Sequence, residues 1–326
     1  MDNKSIRLIS TGGTIACKPT DRGLAPELTA KDMLSIIGIH SDNISCTDLF
    51  SMDSSNIQPD EWLKIAREIK LTAQNKEIDG IVLTHGTDTM AYTASMLSFL
   101  LLDIKIPIVL TGAQTPIVNP NSDGRKNLSD ALLAASKLPS GVYICFGGFV
   151  MLGCRAVKTH TLSPHAFESI NYPYIAKISD GYFNLLHSCE PHHCHGLSDS
   201  ICPDVALIKL IPGTSPLLLD SVLSCGMKGL VVESFGMGGV HSDHNKSLVR
   251  LMQNGVTVVL TSQCLYEAAS LDVYEVSRTL HDAGAISAAD MTTEAAVTKL
   301  MWVLGQTSEP QEIRRLFLTD FCGECK

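Results

Sequence analysis

The chain has no run of about 18 uninterrupted apolar residues, which removes a membrane-spanning helix from consideration. It is also short of positive charge: 25 Lys and Arg stand against 34 Asp and Glu, a formal net charge of −9. A nucleic-acid binder needs a basic face to displace counterions, so that class is set aside. The phosphate-cradling G-x-x-x-x-G-K-[ST] string is missing, as are a G-x-G-x-x-G turn after a strand and a G-x-S-x-G elbow. The usual nucleotide and serine-hydrolase readings go with them, and no organic cofactor is expected. Residues 1–5 lead straight into the first strand without a secretory apolar segment. Eleven cysteines, an odd number scattered over a large chain, make no disulfide framework and read as reduced thiols in a cytoplasmic protein.

What is present is ordinary globular material, 45% hydrophobic and 18% charged over 326 residues. That length suffices for two domains at roughly 150 residues each. Runs 6–10, 80–84 and 106–111 read as buried strands. Thr29-Ala30-Lys31-Asp32 has the form of a capping box. Pro59 opens a helix with Asp60 and Glu61 in its first turn, and Trp62, Ile65, Ala66 and Ile69 recur at helical spacing. Further helices are predicted over 88–102 and 123–137, and segments 142–145 and 149–157, divided by Gly147-Gly148, read as an added hairpin. Repeated β-α-β units imply a parallel sheet with right-handed crossovers.

The stretch 184–203 is polar, rich in His and Cys, and reads as a linker. Beyond it strands 205–210, 229–233 and 256–260 alternate with helices after Thr214 and over 244–254, and helices follow at 272–283, 290–304 and 309–319. The expectation is two doubly wound α/β domains: a larger N-terminal parallel-sheet domain over 1–183, carrying the nucleophile candidates, and a smaller C-terminal one over 204–326.

Two strings carry the chemistry. Thr11-Gly12-Gly13-Thr14 and His85-Gly86-Thr87-Asp88 each follow a strand, so each sets a threonine hydroxyl on a glycine-flanked turn at a strand's carboxyl end. Open parallel sheets keep their ligands there. Glycine tolerates positive φ and leaves backbone N–H groups exposed, so such a turn presents a hydroxyl beside oxyanion donors. Either turn alone is equally a turn that merely needs glycine. A threonine hydroxyl is inert at its own pKa and requires a proton acceptor. A desolvated lysine serves that purpose, though spacing does not say which one. Asp88 suits a substrate ammonium, the cap of the following helix, or both. His85 reads as a partner of local backbone groups rather than as a base.

With both strings in order, the chain closely resembles the bacterial-type L-asparaginases, amidohydrolases that release ammonia from asparagine, and most of all their cytoplasmic subgroup. The likeness runs from about residue 5 to 320 and includes Met52-Asp53-Ser54-Ser55, Val109-Leu110-Thr111-Gly112-Ala113-Gln114, residues 121–128 and residues 289–295. The resemblance implies Thr14 as the nucleophile that forms an aspartyl ester. It implies Thr87, Asp88 and Lys158 as a threonine-acid-lysine set in which the lysine holds or relays the proton. Asp53 and Ser54 would bind the substrate's α-amino and α-carboxylate groups, with Asp88 sharing the ammonium. Backbone N–H groups near Gly13 and Thr87 would form the oxyanion hole, and the Ala113 carbonyl would receive the leaving nitrogen. L-Asparagine as substrate, no cofactor and a homodimer or homotetramer follow from the same resemblance.

The chain departs from the family at two places. Leu24 stands where relatives carry a lid tyrosine bonded to the nucleophile, which leaves Lys158 as base for both steps. Gly239 stands where some relatives carry an asparagine that reaches a neighbouring subunit. Gln263-Cys264 is similar in position to an effector-site segment of some cytoplasmic relatives, or is simply the end of a strand. His187, Cys189, His192, His193, Cys194 and His195 with Cys322-Gly323-Glu324-Cys325 offer ligand types for zinc. There is a single Cys-x-x-Cys, however, and nothing in the sequence joins it to the linker. The expectation is no metal, a solvated linker and an unstructured tail. Two other functions remain: the related glutamine-deamidating subunit of a transfer-RNA amidotransferase, whose usual extra N-terminal domain finds no room here, and a non-catalytic asparagine sensor.

Overall fold

The computed structural model describes residues 4–21, 23–188, 197–270 and 275–326. They fall into two units, Met1–His195 and Gly196–Lys326. The first contains β1 (Ile6–Gly12), β2 (Cys17–Thr20), β3 (Gly23–Pro26), α1 (Ala30–Ile36), β4 (Ile44–Met52), α2 (Pro59–Ala73), β5 (Gly80–Thr84), α3 (Met90–Leu100), β6 (Pro107–Thr111), α4 (Asp123–Ala135) and β7 (Gly141–Phe146). It continues with β8 (Phe149–Leu152), β9 (Ala156–Lys158), β10 (Phe167–Ser169), β11 (Ala176–Ser179) and β12 (Tyr182–Leu185).

Among the described residues, its main sheet runs β12-β11-β8-β7-β6-β5-β1-β4, parallel from β4 to β7 and antiparallel from β8 outward. Every residue of β5 and β6 is buried, as expected of parallel strands covered on both faces. Register aligns Ser10 with Thr84 and Thr84 with Thr111, so the loops after β1, β5 and β6 leave the sheet at one level. β1 connects outward to β4 and β5 connects the other way to β6. The strand order therefore reverses between β1 and β5, which opens a crevice at their carboxyl ends.

Helix caps follow the sequence. Thr29 and Asp32 form the capping box of α1, and Pro59 opens α2 with Asp60 and Glu61 in its first turn. The hairpin at Gly147-Gly148 forms at φ values of 59° and 83°, but β7, its first arm, is also the last parallel strand of the sheet. The second arm is not one strand over 149–157. The chain leaves the sheet at the 3-10 turn Gly153–Arg155, where a Cβ on Gly153 would lie 3.0 Å from the Ala94 carbonyl of α3, and β9 pairs with β10 instead. The β2–β3 hairpin, β4 and the β11–β12 extension add to what the alternation predicted.

The expected linker is partly structured. Asn184 and Leu185 belong to β12, and the Cys202 amide donates to the Met301 carbonyl at 2.8 Å. Cys189, His192, His193, Cys194 and His195 lie outside the described residues.

The second unit contains β13 (Val205–Lys209), α5 (Pro216–Ser224), β14 (Gly229–Ser234), α6 (Ser242–Gln253), β15 (Thr257–Ser262), α7 (Glu275–Asp282), β16 (Ile286–Ser287), α8 (Thr293–Gln306) and α9 (Pro310–Leu318). Its described strands are parallel in the order β13-β14-β15-β16, without a reversal. Leu219, Leu230, Val232, Leu248 and Leu260 are among its core.

The tail is not unstructured. Glu324 is fully buried and ion-paired with the equally buried Lys299 at 2.5 Å. Lys299 Nζ also donates to the Thr319 carbonyl at 2.7 Å and lies over the Phe317 and Phe321 rings. Glu324 accepts from the Phe321 and Cys322 amides, and against the effect of burial the nearby Lys299 ammonium, helped by the Cys322 amide, holds its carboxyl far below the usual range. None of the helical or alternating periods shows in residues 319–326, because this segment is fixed by two charges that need each other once out of water.

A buried polar chain sets the end of β5. The Trp62 indole donates to Thr93 Oγ1 at 2.9 Å, and Thr93 Oγ1 bonds His85 Nε2 at 2.9 Å. The opposite nitrogen, Nδ1, meets the Gly86 carbonyl at 2.7 Å. A carbonyl only accepts, so Nδ1 carries the proton and Nε2 accepts from Thr93. Full burial pulls the His85 pKa down to about 4. Both nitrogens are thereby occupied in a neutral ring.

Glu324→Ala should destabilise the full chain by about 3–5 kcal/mol, since it strands a buried ammonium, whereas Lys299→Met/Glu324→Leu should cost clearly less. Chemical denaturation of the three proteins checks this. The unfolded chain protonates His85 near pH 6.5 and the folded chain only near 4, so its effect favours folding fully above 6.5 and fades as pH falls toward 4. That window is worth about 3 kcal/mol. Thermal unfolding followed from pH 7 to 4 should fall more steeply for the native protein than for His85→Gln.

Candidate active site

Three turns meet at the crevice between β1 and β5. The first is the β1 exit. Gly12 and Gly13 hold φ of 99° and 75°, and the Gly13 amide donates to the Met52 carbonyl at 2.9 Å. A Cβ on Gly13 would lie 2.3 Å from the Gly86 nitrogen, so the β1 and β5 turns are in backbone contact and only glycine fits. Thr14 opens the 3-10 turn Thr14–Ala16 and is half-buried, and its hydroxyl makes no hydrogen bond among the described residues.

The second turn is the β4 exit. Asp53 caps the turn Ser54–Asn56 by accepting from the Ser55 amide at 2.9 Å and its hydroxyl at 2.7 Å, and these bonds hold the Asp53 carboxyl below its usual pKa. Ser54 is buried against the third turn: a Cβ on Gly86 would lie 2.5 Å from Ser54 Oγ. Thr89 Oγ1 donates to the Ser54 carbonyl at 2.7 Å and ties the β4 exit to the β5 exit.

The third turn holds Thr87 and Asp88. Lys158 at the end of β9 donates from Nζ to Thr87 Oγ1 at 2.8 Å and to Asp88 Oδ1 at 2.6 Å. The lysine side chain is only 18% exposed, while the Asp88 side chain is 64% exposed. The ammonium is thus enclosed and the carboxylate keeps an open side. Sequence spacing leaves the lysine unspecified; the crossing of the chain from β8 over α3 selects Lys158. Asp88 does not act as the cap of α3, whose N-cap position is taken by Thr89.

Ala113 is fully buried on the loop after β6. That loop is held by Asp123 in the first turn of α4, whose carboxylate accepts from the Gln114 amide at 2.9 Å and the Thr115 amide at 3.0 Å. The sequence assigns Gln114 no role. Thr87 Oγ1 donates to its Oε1 at 3.4 Å, which turns the Thr87 lone pairs toward Lys158. Its only sequence signal is its place in the 109–114 segment.

His85 lies behind the turn as a buttress, not as a base. Cys17 donates from Sγ to the Gly13 carbonyl at 3.5 Å, and burial pushes its thiol up. Leu24 lies opposite Pro19 in the β2–β3 hairpin, 59% exposed, and offers no polar atom. In the second unit Gly239 forms a bridge with Phe235, and Gln263 Nε2 donates to the Leu210 and Glu233 carbonyls, which binds neighbouring strand ends together.

The arrangement therefore offers an uncommitted hydroxyl on Thr14, a second hydroxyl bonded to an enclosed ammonium, and an exposed carboxylate. That combination suits nucleophilic attack on an uncharged acyl carbon, with a charged substrate held nearby.

The family description Asparaginase, N-terminal matches residues 5–190, and Glutaminase/Asparaginase C-terminal domain matches residues 204–317. An L-asparaginase of Thermococcus kodakarensis is 41% identical over 97% of this chain and 98% of its own length. A glutamyl-tRNA(Gln) amidotransferase component of Pyrococcus furiosus is 38% identical over 98% of this chain and 76% of its own length. Among solved structures, the thermostable L-asparaginase from Thermococcus kodakarensis superposes with a TM-score of 0.92 at 39% identity, covering 99% of both chains. A probable cytoplasmic L-asparaginase from Campylobacter jejuni gives 0.81 at 28% identity, covering 97% of this chain and 100% of the other. With both family descriptions in tandem and a relative matched almost end to end, the chain belongs to the asparaginase family.

Proposed function

We propose that this protein hydrolyses L-asparagine to L-aspartate and ammonia by double displacement on Thr14. The observation that carries the reading is the Lys158–Thr87–Asp88 cluster, an ammonium 2.8 Å from one threonine hydroxyl and 2.6 Å from a carboxylate, on the turn in backbone contact with Gly13.

In this mechanism the Thr14 oxygen adds to the side-chain amide carbon, and its proton passes through the Thr87–Lys158 pair. The amide oxygen takes the negative charge and is met by N–H groups near Gly13 and Thr87, worth a few kcal/mol in the transition state. Lys158 releases a proton to the nitrogen as Thr87 passes it the one from Thr14, and ammonia leaves past the Ala113 carbonyl, with an aspartyl ester left on Thr14. Water then adds to that ester, the C–O bond to Thr14 breaks, and the hydroxyl is regenerated. Asp53 and Ser54 hold the substrate's α-amino and α-carboxylate groups, and the open face of Asp88 shares the ammonium. Leu24 supplies no proton acceptor, so the relay through Thr87 and Lys158 serves both steps, the lysine releasing one proton as it takes another.

The 41% identity to the Thermococcus kodakarensis L-asparaginase over 97% of this chain supports this reading. No helix among the described residues is long and apolar enough to cross a membrane. Assembly as a homodimer or homotetramer and a cytoplasmic site of action belong to the same reading.

Ammonia release from L-asparagine and L-glutamine tests it. The native protein should turn over asparagine in preference to glutamine. Thr14→Ala and Lys158→Met should each lower kcat by at least about 10³-fold, the scale expected when a nucleophile or its base is removed. Asparagine binding without turnover in the native protein would make it a sensor instead.

A further inference from the structure

The C-terminal Cys-x-x-Cys belongs to no part of the proposed reaction. Its donors converge all the same. One ligand atom from each of Asp320, Glu324 and Cys325 lies within 4.8 Å of the others, and Cys322 Sγ is 3.3 Å from Glu324 Oε2. Gly323, at φ +84°, makes the turn that brings both cysteines back to the Glu324 carboxylate, and its amide donates to Asp320 Oδ1 at 2.8 Å. The spacing of the two cysteines and the meeting of three donors, with Cys322 beside one of them, are separate observations, one from sequence and one from folding.

We propose that Cys322, Cys325, Asp320 and Glu324 form a structural site for one thiophilic divalent cation of the zinc class. Two thiolates with two carboxylate oxygens suit a four-coordinate ion without geometric demands of its own. Glu324 is held from both sides. Its Oε1 is ion-paired with Lys299, and its Oε2 faces Cys322, which donates its thiol proton there. The cation takes the place of that proton. Both thiols ionise as it binds, two protons pass to solvent, and no electron is transferred. Four anionic donors carry four negative charges, which the divalent ion and the Lys299 ammonium offset by three. Asp320 is exposed and the two cysteines are half-buried, so the ion has a path from solvent. In this place it fastens the last residues to α8 through Glu324 and Lys299, far along the chain from Thr14.

Titration of chelator-treated, reduced full-length protein with Co²⁺ and then Zn²⁺ tests the site. Thiolate-to-cobalt charge-transfer absorption reports the ligands, and the proton release and thermal midpoint are followed alongside. The native protein should bind one more tight equivalent than Cys322→Ser/Cys325→Ser, release protons on binding, and gain thermal stability that the variant does not gain. Asp320→Asn should weaken that equivalent by at least about tenfold, as loss of one supporting or ligating group does. Circular dichroism shows that the double variant is folded, so a lost equivalent is a lost ligand set. Equal stoichiometry in the native protein and the double variant, or cobalt spectra without a thiolate band, would overturn the proposal.

Discussion

Backbone meets backbone where β1 and β5 end. A side chain on Gly13 would lie 2.3 Å from the Gly86 nitrogen and one on Gly86 would lie 2.5 Å from Ser54 Oγ, so two glycines let three turns share one small volume. Everything at the candidate site follows from that approach. Thr14 leaves the first turn, Asp53 and Ser54 form the second, and Thr87 and Asp88 leave the third. The sheet topology explains the location: strand order reverses between β1 and β5, and the connections diverge there to leave a crevice. The second unit's described strands run in simple order and open no such crevice.

Electrostatics then sort the groups that surround the crevice. Lys158 is mostly enclosed and bonded to both Thr87 and Asp88, whereas Asp88 remains largely exposed. An enclosed ammonium is suited to holding or passing a proton, and an exposed carboxylate to meeting a cationic substrate. His85, the one histidine in the signature string, is withdrawn from chemistry by burial: a neutral ring with both nitrogens engaged supports the Gly86 turn. The same economy of charge governs the tail, where Lys299 and Glu324 are out of water together and fix residues that have no secondary structure of their own.

Reading the fold from sequence succeeded where local physics is strong. The capping box at Thr29, the proline start at Pro59, the buried strand ending at Thr84 and the two-glycine turn at 147–148 all form as their residues dictate. It fell short where the deciding contact lies far away in the chain. The 149–157 run looks like one strand, but the chain must cross α3 at Gly153, which breaks it and carries Lys158 off the sheet. The tail looks disordered because its order comes from a lysine 25 positions earlier in the numbering, 299 against 324. Gln114 had no signal beyond its place in the 109–114 segment, since its bond to Thr87 spans two loops.

The sequence by itself determined the repeating β-α-β order, the two glycine-threonine turns and, through their joint presence, the family. These are local facts: which residues favour strands, which tolerate positive φ, and which hydroxyls sit beside them. The family resemblance named Lys158, and local reading set His85 against backbone groups; only the tertiary structure decided the contacts of Lys158 with Thr87 and Asp88, the bond from His85 to Thr93, and that Cys322 and Cys325 close around Glu324. Each of those depends on groups distant in sequence being brought out of water together, where an unpaired charge or polar atom is costly and a specific partner becomes obligatory.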